Sequence, residues 1–292
     1  MSWVGGSESR GLWPMLAFPL DAADVEWVDH GLYATRTGWN RFPVATELLV
    51  RFRRLLGDDG VLAAEDELVV YECDGYVVEK KAPDVVLFPT TTEQVSEIVR
   101  TCNEFDVPFV PRGAGTSLAG GCLPVGGGVM ISLTRMKSIL EVNLQDRYAV
   151  VQPGLVNLHL TRHLAGTGFH YAPDPSSQGA CTIGGNVATN SGGPHTLKYG
   201  VTVNHVLGLE VVMPDGQVVE FGGVAEGLAG YDLVGLFVGS EGTFGICTQV
   251  TVRLTRNPER TGRCWASSRR SAMPPRPSAR SSRRALFRRH SK

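Results

Sequence analysis

The sequence predicts a mixed α+β fold, neither all-helical nor all-β. Short apolar runs of the β type are separated by turns such as Pro214-Asp215-Gly216, and helical periods are interspersed among them. The chain has 292 residues, of which 42% are hydrophobic. That is enough to bury one sizeable core and up to two smaller ones.

Residues 83–110 predict a strand, a helix and a second strand in succession. The apolar run 85–87 is strand-like, and Thr91 or Thr92 can cap the following helix, whose apolar residues share one side. The run 107–110 is strand-like again. This β-α-β order leads directly into a glycine-rich loop.

The spacing of apolar residues, helical or strand-like, also predicts the other elements. We expect helices over 45–56 and 155–164, and strands over 129–133, 149–152, 206–212 and 246–254. Residues 1–43 have no convincing period and are expected to form an irregular segment. The structured domain is expected to span residues 44–258.

The formal net charge of −1 hides two different kinds of sequence. Residues 259–292 contain ten Arg, one Lys and one Glu, about +10, so residues 1–258 carry about −11. The tail is rich in Arg, Ser and Pro and lacks a period, which predicts disorder. Its abrupt onset indicates a reading-frame change in the coding sequence or a fragmentary gene.

Several classes of protein are disfavoured by composition. No run approaches the roughly 18 to 20 apolar residues of a membrane span, and residues 1–20 lack the regions of a signal peptide, so a cytoplasmic location is expected. Six cysteines without a Cys-x-x-Cys pair disfavour an iron–sulfur cluster and a disulfide framework. The basic tail could attract nucleic acid or an anionic surface, but two aromatic residues are too few for stacking, and no nucleic-acid partner is expected.

The first glycine-rich stretch, residues 111–117, follows the second predicted strand. Leu118 stands where the third glycine of a G-x-G-x-x-G fingerprint should be, so the strict Rossmann pattern fails. Converging backbone N–H groups and the hydroxyls of Thr116 and Ser117 could still bind a pyrophosphate. A plain tight turn explains the stretch equally well.

Two further stretches combine glycines with polar side chains. Residues 173–193 offer hydroxyls, two Asn amides and little charge, which suits a large ligand with a flat polar ring and a phosphate tail. A glycine-rich surface loop is the alternative, although Ile183 and Val187 indicate packing. Residues 239–246 place glycines beside Glu241 and could equally be a hairpin turn.

Taken in order, these motifs resemble the PCMH-type FAD-binding domain of the vanillyl-alcohol-oxidase class, and within it the glycolate oxidase FAD subunit and D-lactate dehydrogenases. The resemblance covers about residues 48–258. Eight motifs carry it: residues 112–121, 173–177, 183–186, 190–193, 198–200, 207–212, 230–233 and 239–243.

The resemblance implies two α+β subdomains that bind FAD and lack the C-terminal cap domain found in relatives. FAD is expected to be noncovalent, because Ala114 and Thr116 stand where some relatives carry a linking His. Three groups of cofactor-binding residues are implied: Pro111, Arg112, Gly113, Ala114, Gly115, Thr116 and Ser117 at the pyrophosphate; Pro173, Asp174, Ser177, Thr182, Gly185, Thr189, Asn190, Ser191 and Gly192 at the flavin and ribityl chain; and Glu241, Gly242 and Ile246 near the adenosine or ring.

The implied function is an FAD-dependent oxidoreductase subunit that oxidises the CH–OH group of a 2-hydroxy acid such as glycolate or D-lactate. Hydride would pass to flavin N5 and electrons would leave toward an iron–sulfur partner or a quinone. Such partner subunits would hold the protein at the inner membrane. An FAD-binding remnant without turnover is the alternative. No catalytic residue and no metal site are assigned, and His195 is interpreted as structural.

Overall fold

Two β-sheets separated by helices form the fold. The structure is a computed structural model that describes residues 25–28, 31–34, 46–224 and 230–259. The strands are β1 (Val25–Val28), β2 (Gly31–Ala34), β3 (Val61–Leu62), β4 (Val85–Leu87), β5 (Phe109–Arg112), β6 (Val129–Ser132), β7 (Ile139–Asn143), β8 (Tyr148–Val151), β9 (Phe169–His170), β10 (Val206–Val212), β11 (Val218–Gly222), β12 (Ile246–Arg253) and β13 (Thr255–Arg256). The helices are α1 (Thr46–Leu56), α2 (Glu65–Leu68), α3 (Thr92–Glu104), α4 (Asn157–His163), α5 (Ile183–Thr189), α6 (Thr196–Tyr199) and α7 (Leu233–Phe237).

The first subdomain is a four-stranded sheet in the order β3-β4-β6-β5. Its strands β4, β6 and β5 are parallel, with α3 as the crossover, as the predicted β-α-β order requires. Thr91 caps α3 by accepting a hydrogen bond from the N–H of Gln94 at 3.3 Å. The apolar side of α3 is fully buried, with Ile98 at 0% exposure, so the predicted helical face is confirmed.

The second subdomain is a five-stranded antiparallel sheet in the order β11-β10-β12-β8-β7. Strand β10 has the predicted bounds. Helices α4, α5 and α7 contribute Leu160, Val187 and Phe237 to the core on one face of this sheet. Two α+β subdomains are therefore present, as expected.

Helix α3 lies between the two sheets. Val212 and Ile246 belong to the second sheet but pack into the core around α1 and α3, because alternate residues of a strand face opposite sides. The polar side of α3 contacts the turn after β10, where Ser96 Oγ donates to the carbonyl of Gly216 at 2.6 Å. One helix thus joins the two sheets.

The N-terminal prediction is wrong for eight residues. Residues 1–43 were expected to be irregular, but β1 and β2 pair as an antiparallel hairpin. Its four-residue strands are too short to reveal a period in the sequence. The rest of that segment and almost all of the tail 259–292 lie outside the described residues. Within the described ranges, no helix is both long and apolar enough to cross a membrane.

Replacing Ile98 with Ala should lower the free energy of unfolding by about 2 to 5 kcal/mol, because the side chain is fully buried between the sheets. Urea unfolding of the full chain measures the change. Val50 is 49% exposed on α1, and Val50→Ala should change stability by less than about 0.5 kcal/mol. Equal losses in the two variants would contradict the packing described here.

Candidate functional site

Three separated stretches of the chain line one cavity of about 400 Å³. They are residues 111–122, residues 176–191 and residues 237–247, which we name the first, second and third walls. Fifteen of the nineteen predicted cofactor-binding residues line the cavity: Pro111, Arg112, Gly113, Ala114, Gly115, Thr116, Ser117, Ser177, Thr182, Gly185, Thr189, Ser191, Glu241, Gly242 and Ile246. The sequence motifs therefore converge in space.

The first and second walls meet at Gly113 and Thr182. The first wall leaves the sheet at the carboxyl end of the parallel strand β5, and Thr182 caps α5 by accepting from the N–H of Gly185 at 3.2 Å. A Cβ at residue 113 would lie 2.6 Å from Thr182 Oγ1, which is too close for a side chain. Glycine is therefore required for the close approach.

The second wall contains helix α5 and the turn at which it ends, so it is not a glycine-rich surface loop. Ile183 and Val187 of α5 are buried in the core of the second subdomain, as the packed interpretation predicted. The helix ends at Asn190, whose left-handed backbone caps it and donates its N–H to carbonyls of α5, while its Oδ1 accepts from the N–H of Val203 at 3.0 Å. The rigid second wall orients the residues facing the cavity.

The third wall is bound to the exit of α5 through its backbone. The N–H groups of Gly239 and Glu241 donate to the carbonyls of Val187 and Ala188, each at 2.8 Å. Glu241 holds a left-handed φ of 54°, a conformation that non-glycine residues seldom adopt. This stretch links α7 to β12, so the hairpin-turn interpretation is wrong.

The third wall also contacts the first. A Cβ at Gly242 would lie 2.9 Å from Pro111 Cγ, and a Cβ at Gly121 would lie 2.7 Å from Glu241 Oε2. Each pair of walls is therefore in contact. The cavity is enclosed by chain segments that are up to about 130 positions apart, which only the folded state can bring together.

Arg112 places a buried positive charge at the cavity. Its side chain is held by the carbonyl of Cys73 at 2.9 Å and by the sulfur of Cys122 at 3.4 Å, and its guanidinium lies 5.7 Å from the centre of the Tyr71 ring. Only 8% of the residue is exposed. Arg112 forms no ion pair with any carboxylate in the described part of the chain. A buried cation with no ion-pair partner among the described residues is suited to an anionic ligand.

Two buried hydroxyls near the cavity also lack partners. The Oγ atoms of Ser191 and Ser240 have no hydrogen-bond partner among the described residues. Ser191 lines the cavity directly. Buried hydroxyls are normally hydrogen-bonded, so these two are exceptions among the described residues.

Three thiols line the walls and are held in their neutral form. Burial raises the pKa of Cys122 and of Cys181 above the ordinary thiol value, and it raises the pKa of Cys247 to about 12. The guanidinium of Arg112 opposes this shift at Cys122 but does not reverse it. Thiolates are therefore scarce in the cavity. In the described ranges, no three His, Cys, Asp or Glu side chains are grouped as metal ligands.

Four of the predicted residues do not line the cavity. The carbonyl of Pro173 accepts from Asn157, and Asn190 caps α5. Gly192 packs against Thr196. The Asp174 carboxylate pairs with the ring of His195 at 2.5 Å. These residues support the second wall and do not form its surface.

Fourteen lining residues were missed in the sequence. They are Leu118, Gly121, Cys122, Leu133, Pro153, Ser176, Cys181, Gly184, Asn186, Val187, Ala188, Phe237, Gly245 and Cys247. Most lie within or beside a motif and could have been found by extending it. Leu133 and Pro153 could not, because they come from segments without any glycine-rich signal.

Comparison with known proteins relates part of the chain, including the first two walls, to a family. Residues 83–222 match the family described as FAD binding domain. The chain is 45% identical over 213 residues to a glycolate oxidase subunit of Escherichia coli strain K12, covering 73% of this chain and 43% of that protein. It is 38% identical over 224 residues to a D-lactate dehydrogenase of Anaerostipes hadrus, covering 74% and 46%. The chain thus spans less than half the length of these relatives.

A solved structure shares the fold. Substrate-bound p-cresol methylhydroxylase superposes with a TM-score of 0.62 at 27% identity, over 73% of this chain and 43% of that one. The structure is also compatible with the cofactor, since Arg112 lies at the cavity without an ion-pair partner among the described residues, which suits a pyrophosphate.

FAD is accordingly the cofactor of this domain. The family match and the relatives indicate this cofactor. The described domain has the fold of the PCMH-type FAD-binding domain, and its residues 83–222 match the FAD-binding domain family.

Proposed function

We propose that the chain binds FAD noncovalently in the three-walled cavity and is the flavin-binding part of an oxidoreductase that acts on the CH–OH group of a 2-hydroxy acid. The observation that carries the proposal is the convergence of all three motif stretches on a cavity containing a buried, unpaired guanidinium. Bound FAD would supply the two-electron acceptor, and this chain supplies its position and electrostatic surroundings.

The pyrophosphate is assigned to the first wall. Residues 113–117 combine glycines with the hydroxyls of Thr116 and Ser117, and Arg112 lies beneath them as the local positive charge. A Cβ at Gly115 would overlap the Arg112 guanidinium, so the loop closes directly over that group. Charge-assisted hydrogen bonds from a buried guanidinium are among the stronger contacts a phosphate can make.

The ribityl chain and the isoalloxazine are assigned to the second wall. Ser177, Thr182, Thr189 and Ser191 offer hydroxyls there, and the buried Oγ of Ser191 has no other partner among the described residues. The adenosine end of FAD is assigned to the third wall, where the backbone around Gly242 would contact it. This assignment puts the reactive ring near Ser176, Ser177 and Ser191.

Noncovalent attachment follows from the side chains at hand. Ala114 and Thr116 offer no nucleophile to the flavin from the first wall. The lining thiols Cys122, Cys181 and Cys247 have pKa values raised by burial, which keeps them protonated and poorly nucleophilic. Neither group favours a covalent bond to the cofactor.

The substrate class and partners belong to the same proposal. The relatives include a glycolate oxidase subunit, a D-lactate dehydrogenase and a D-2-hydroxyglutarate dehydrogenase, all named for 2-hydroxy acids. We therefore propose glycolate or D-lactate as substrate, with an iron–sulfur subunit or a quinone as the electron acceptor. We also propose that the protein is cytoplasmic and attaches to the inner membrane through partner subunits.

Flavin binding without turnover is the competing function. The chain spans 43% of the glycolate oxidase subunit that it matches, so binding of FAD and turnover of a substrate are separate proposals for this chain. Binding of nucleic acid or an anionic surface through the basic residues of 259–292 falls outside the described residues, and no observation favours it.

An absorbance spectrum of the purified chain tests the proposal. We expect a flavin band, full release of that flavin into the supernatant after acid precipitation, and bleaching of the band by glycolate or D-lactate without oxygen. Release supports noncovalent binding, and bleaching separates turnover from mere binding. A colourless protein whose melting temperature ignores added FAD would overturn the proposal, because binding to the native state must raise it.

Replacing Arg112 with Ala should weaken FAD binding by about 10- to 150-fold, which corresponds to losing roughly 1.5 to 3 kcal/mol of charged hydrogen bonding. Arg112→Lys keeps the charge but loses the planar fork and should be intermediate. Quenching of flavin fluorescence measures the dissociation constants. Arg100 bonds to the Gly216 carbonyl away from the cavity, so Arg100→Ala is the matched control. Unchanged affinity in both Arg112 variants would contradict the assignment.

A further inference from the structure

A short segment outside the cavity contacts the glycine-rich loop of the first wall, residues 113–120. The segment is residues 71–76, which we name the bracing segment, and none of these six residues lines the cavity. It continues into a loop that closes on itself. The carbonyl of Glu72 accepts from the N–H of Lys81 at 2.6 Å, and the Glu72 carboxylate pairs with the Lys80 ammonium at 2.5 Å. The bracing segment therefore has a fixed course although it contains little regular secondary structure.

The bracing segment holds the Arg112 side chain from two sides. The carbonyl of Cys73 accepts from the guanidinium at 2.9 Å, and the centre of the Tyr71 ring lies 5.7 Å from it. The Tyr71 ring in turn packs edge-on against Phe88, with 6.1 Å between the ring centres, on one face of the four-stranded sheet. The position of the cation at the cavity thus depends on this segment.

Asp74 attaches the end of the glycine-rich loop to the bracing segment. Only 5% of the residue is exposed. Its Oδ2 accepts from the N–H of Gly120 at 3.0 Å, and its Oδ1 accepts from the N–H of Tyr76 at 2.7 Å. One carboxylate therefore joins two backbone segments, because each of its oxygens binds a different one. Hydrogen bonds to a carboxylate are stronger than neutral ones.

The two segments also approach closely at Gly75. A Cβ at this position would lie 2.7 Å from the carbonyl oxygen of Ser117 and 3.1 Å from that of Thr116. The absence of a side chain lets the bracing segment lie directly against the loop. The loop is thus contacted both in its middle and at its end.

The middle of the loop has few hydrogen bonds of its own. In the described part of the chain, the backbone N–H groups of residues 114–118 donate none, whereas those of Ala119 and Gly120 donate to Ser117 Oγ and to Asp74. Such a loop loses conformational entropy when it is ordered. Contacts that order it before the ligand arrives reduce that cost and so strengthen binding.

We infer that Asp74 is a positioning residue for the FAD pyrophosphate. It fixes the bracing segment against the loop, and it thereby sets both the loop backbone and, through the neighbouring Cys73 carbonyl, the guanidinium of Arg112. Asp74 does not touch the cofactor itself. This inference rests on the proposed function.

FAD affinity of the full chain provides the first test. Asp74→Ala should weaken binding by about 10-fold, and Asp74→Asn, which keeps one acceptor oxygen, by about threefold. Asp84 supplies the matched control, because its Oδ2 accepts from the N–H of Gly128 at 2.6 Å in a turn that does not line the cavity. Asp84→Ala should bind FAD within about twofold of wild type. Quenching of flavin fluorescence measures all four dissociation constants.

Two further readouts separate positioning from a general loss of stability. With Arg112 already replaced by Ala, adding Asp74→Ala should weaken FAD binding by about threefold or less, since residues that act together have non-additive effects. In the cofactor-free chain, hydrogen exchange followed by mass spectrometry should be faster over residues 113–120 in Asp74→Ala and unchanged in α3.

Wild-type FAD binding with unchanged affinity in Asp74→Ala would overturn this inference alone. So would exchange that rises equally in α3 and in the loop, or fully additive losses with Arg112→Ala. If Asp74→Ala does not fold, Asp74→Asn and Gly75→Ala decide the question, because a Cβ at residue 75 would displace the Ser117 carbonyl. A wild-type chain that binds no FAD would overturn the proposed function instead.

Discussion

Close approach of three backbone segments is the constraint on which the site depends. Gly113 against Thr182 and Gly242 against Pro111 leave no room for a Cβ, and the third wall is bound to α5 by backbone hydrogen bonds. The fold makes this possible because the first wall leaves the four-stranded sheet, whereas the second and third walls belong to the core of the five-stranded sheet. The cavity therefore lies where the two subdomains meet, and α3, packed between the sheets, fixes their separation.

Local charge, not net charge, suits the cavity to an anionic cofactor. Residues 1–258 carry about −11, which would repel a pyrophosphate if only the total mattered. Exposed charges more than about 8 Å away are largely screened at physiological ionic strength, whereas a buried guanidinium is not. Arg112 is buried, lies at the cavity and is unpaired among the described residues, so it dominates there. Burial raises the pKa of the neighbouring thiols, so these stay neutral and unreactive.

The sequence predicted the strongly periodic elements well. Strand β10 has the predicted bounds because residues 206–212 are rich in Val and Leu, and Thr91 caps α3 as its position suggested. The hairpin β1–β2 was missed because four-residue strands carry no readable period. The contact between Asp174 and His195 was not predicted, since a pairing across 21 positions leaves no local signal. Leu133 and Pro153 were missed for the same reason: long-range packing selects them, and no motif does.

Protection of thiols by FAD tests the convergence of the three walls most directly. Cys122, Cys181 and Cys247 each lie on a different wall of the same cavity, whereas Cys102 lies in the core between the sheets. Alkylation of the full chain, followed by mass spectrometry of each cysteine peptide, gives four rates with and without FAD. The account predicts that FAD slows the alkylation of all three lining thiols and leaves that of Cys102 unchanged. Protection confined to one wall, or absent from all three, would contradict it.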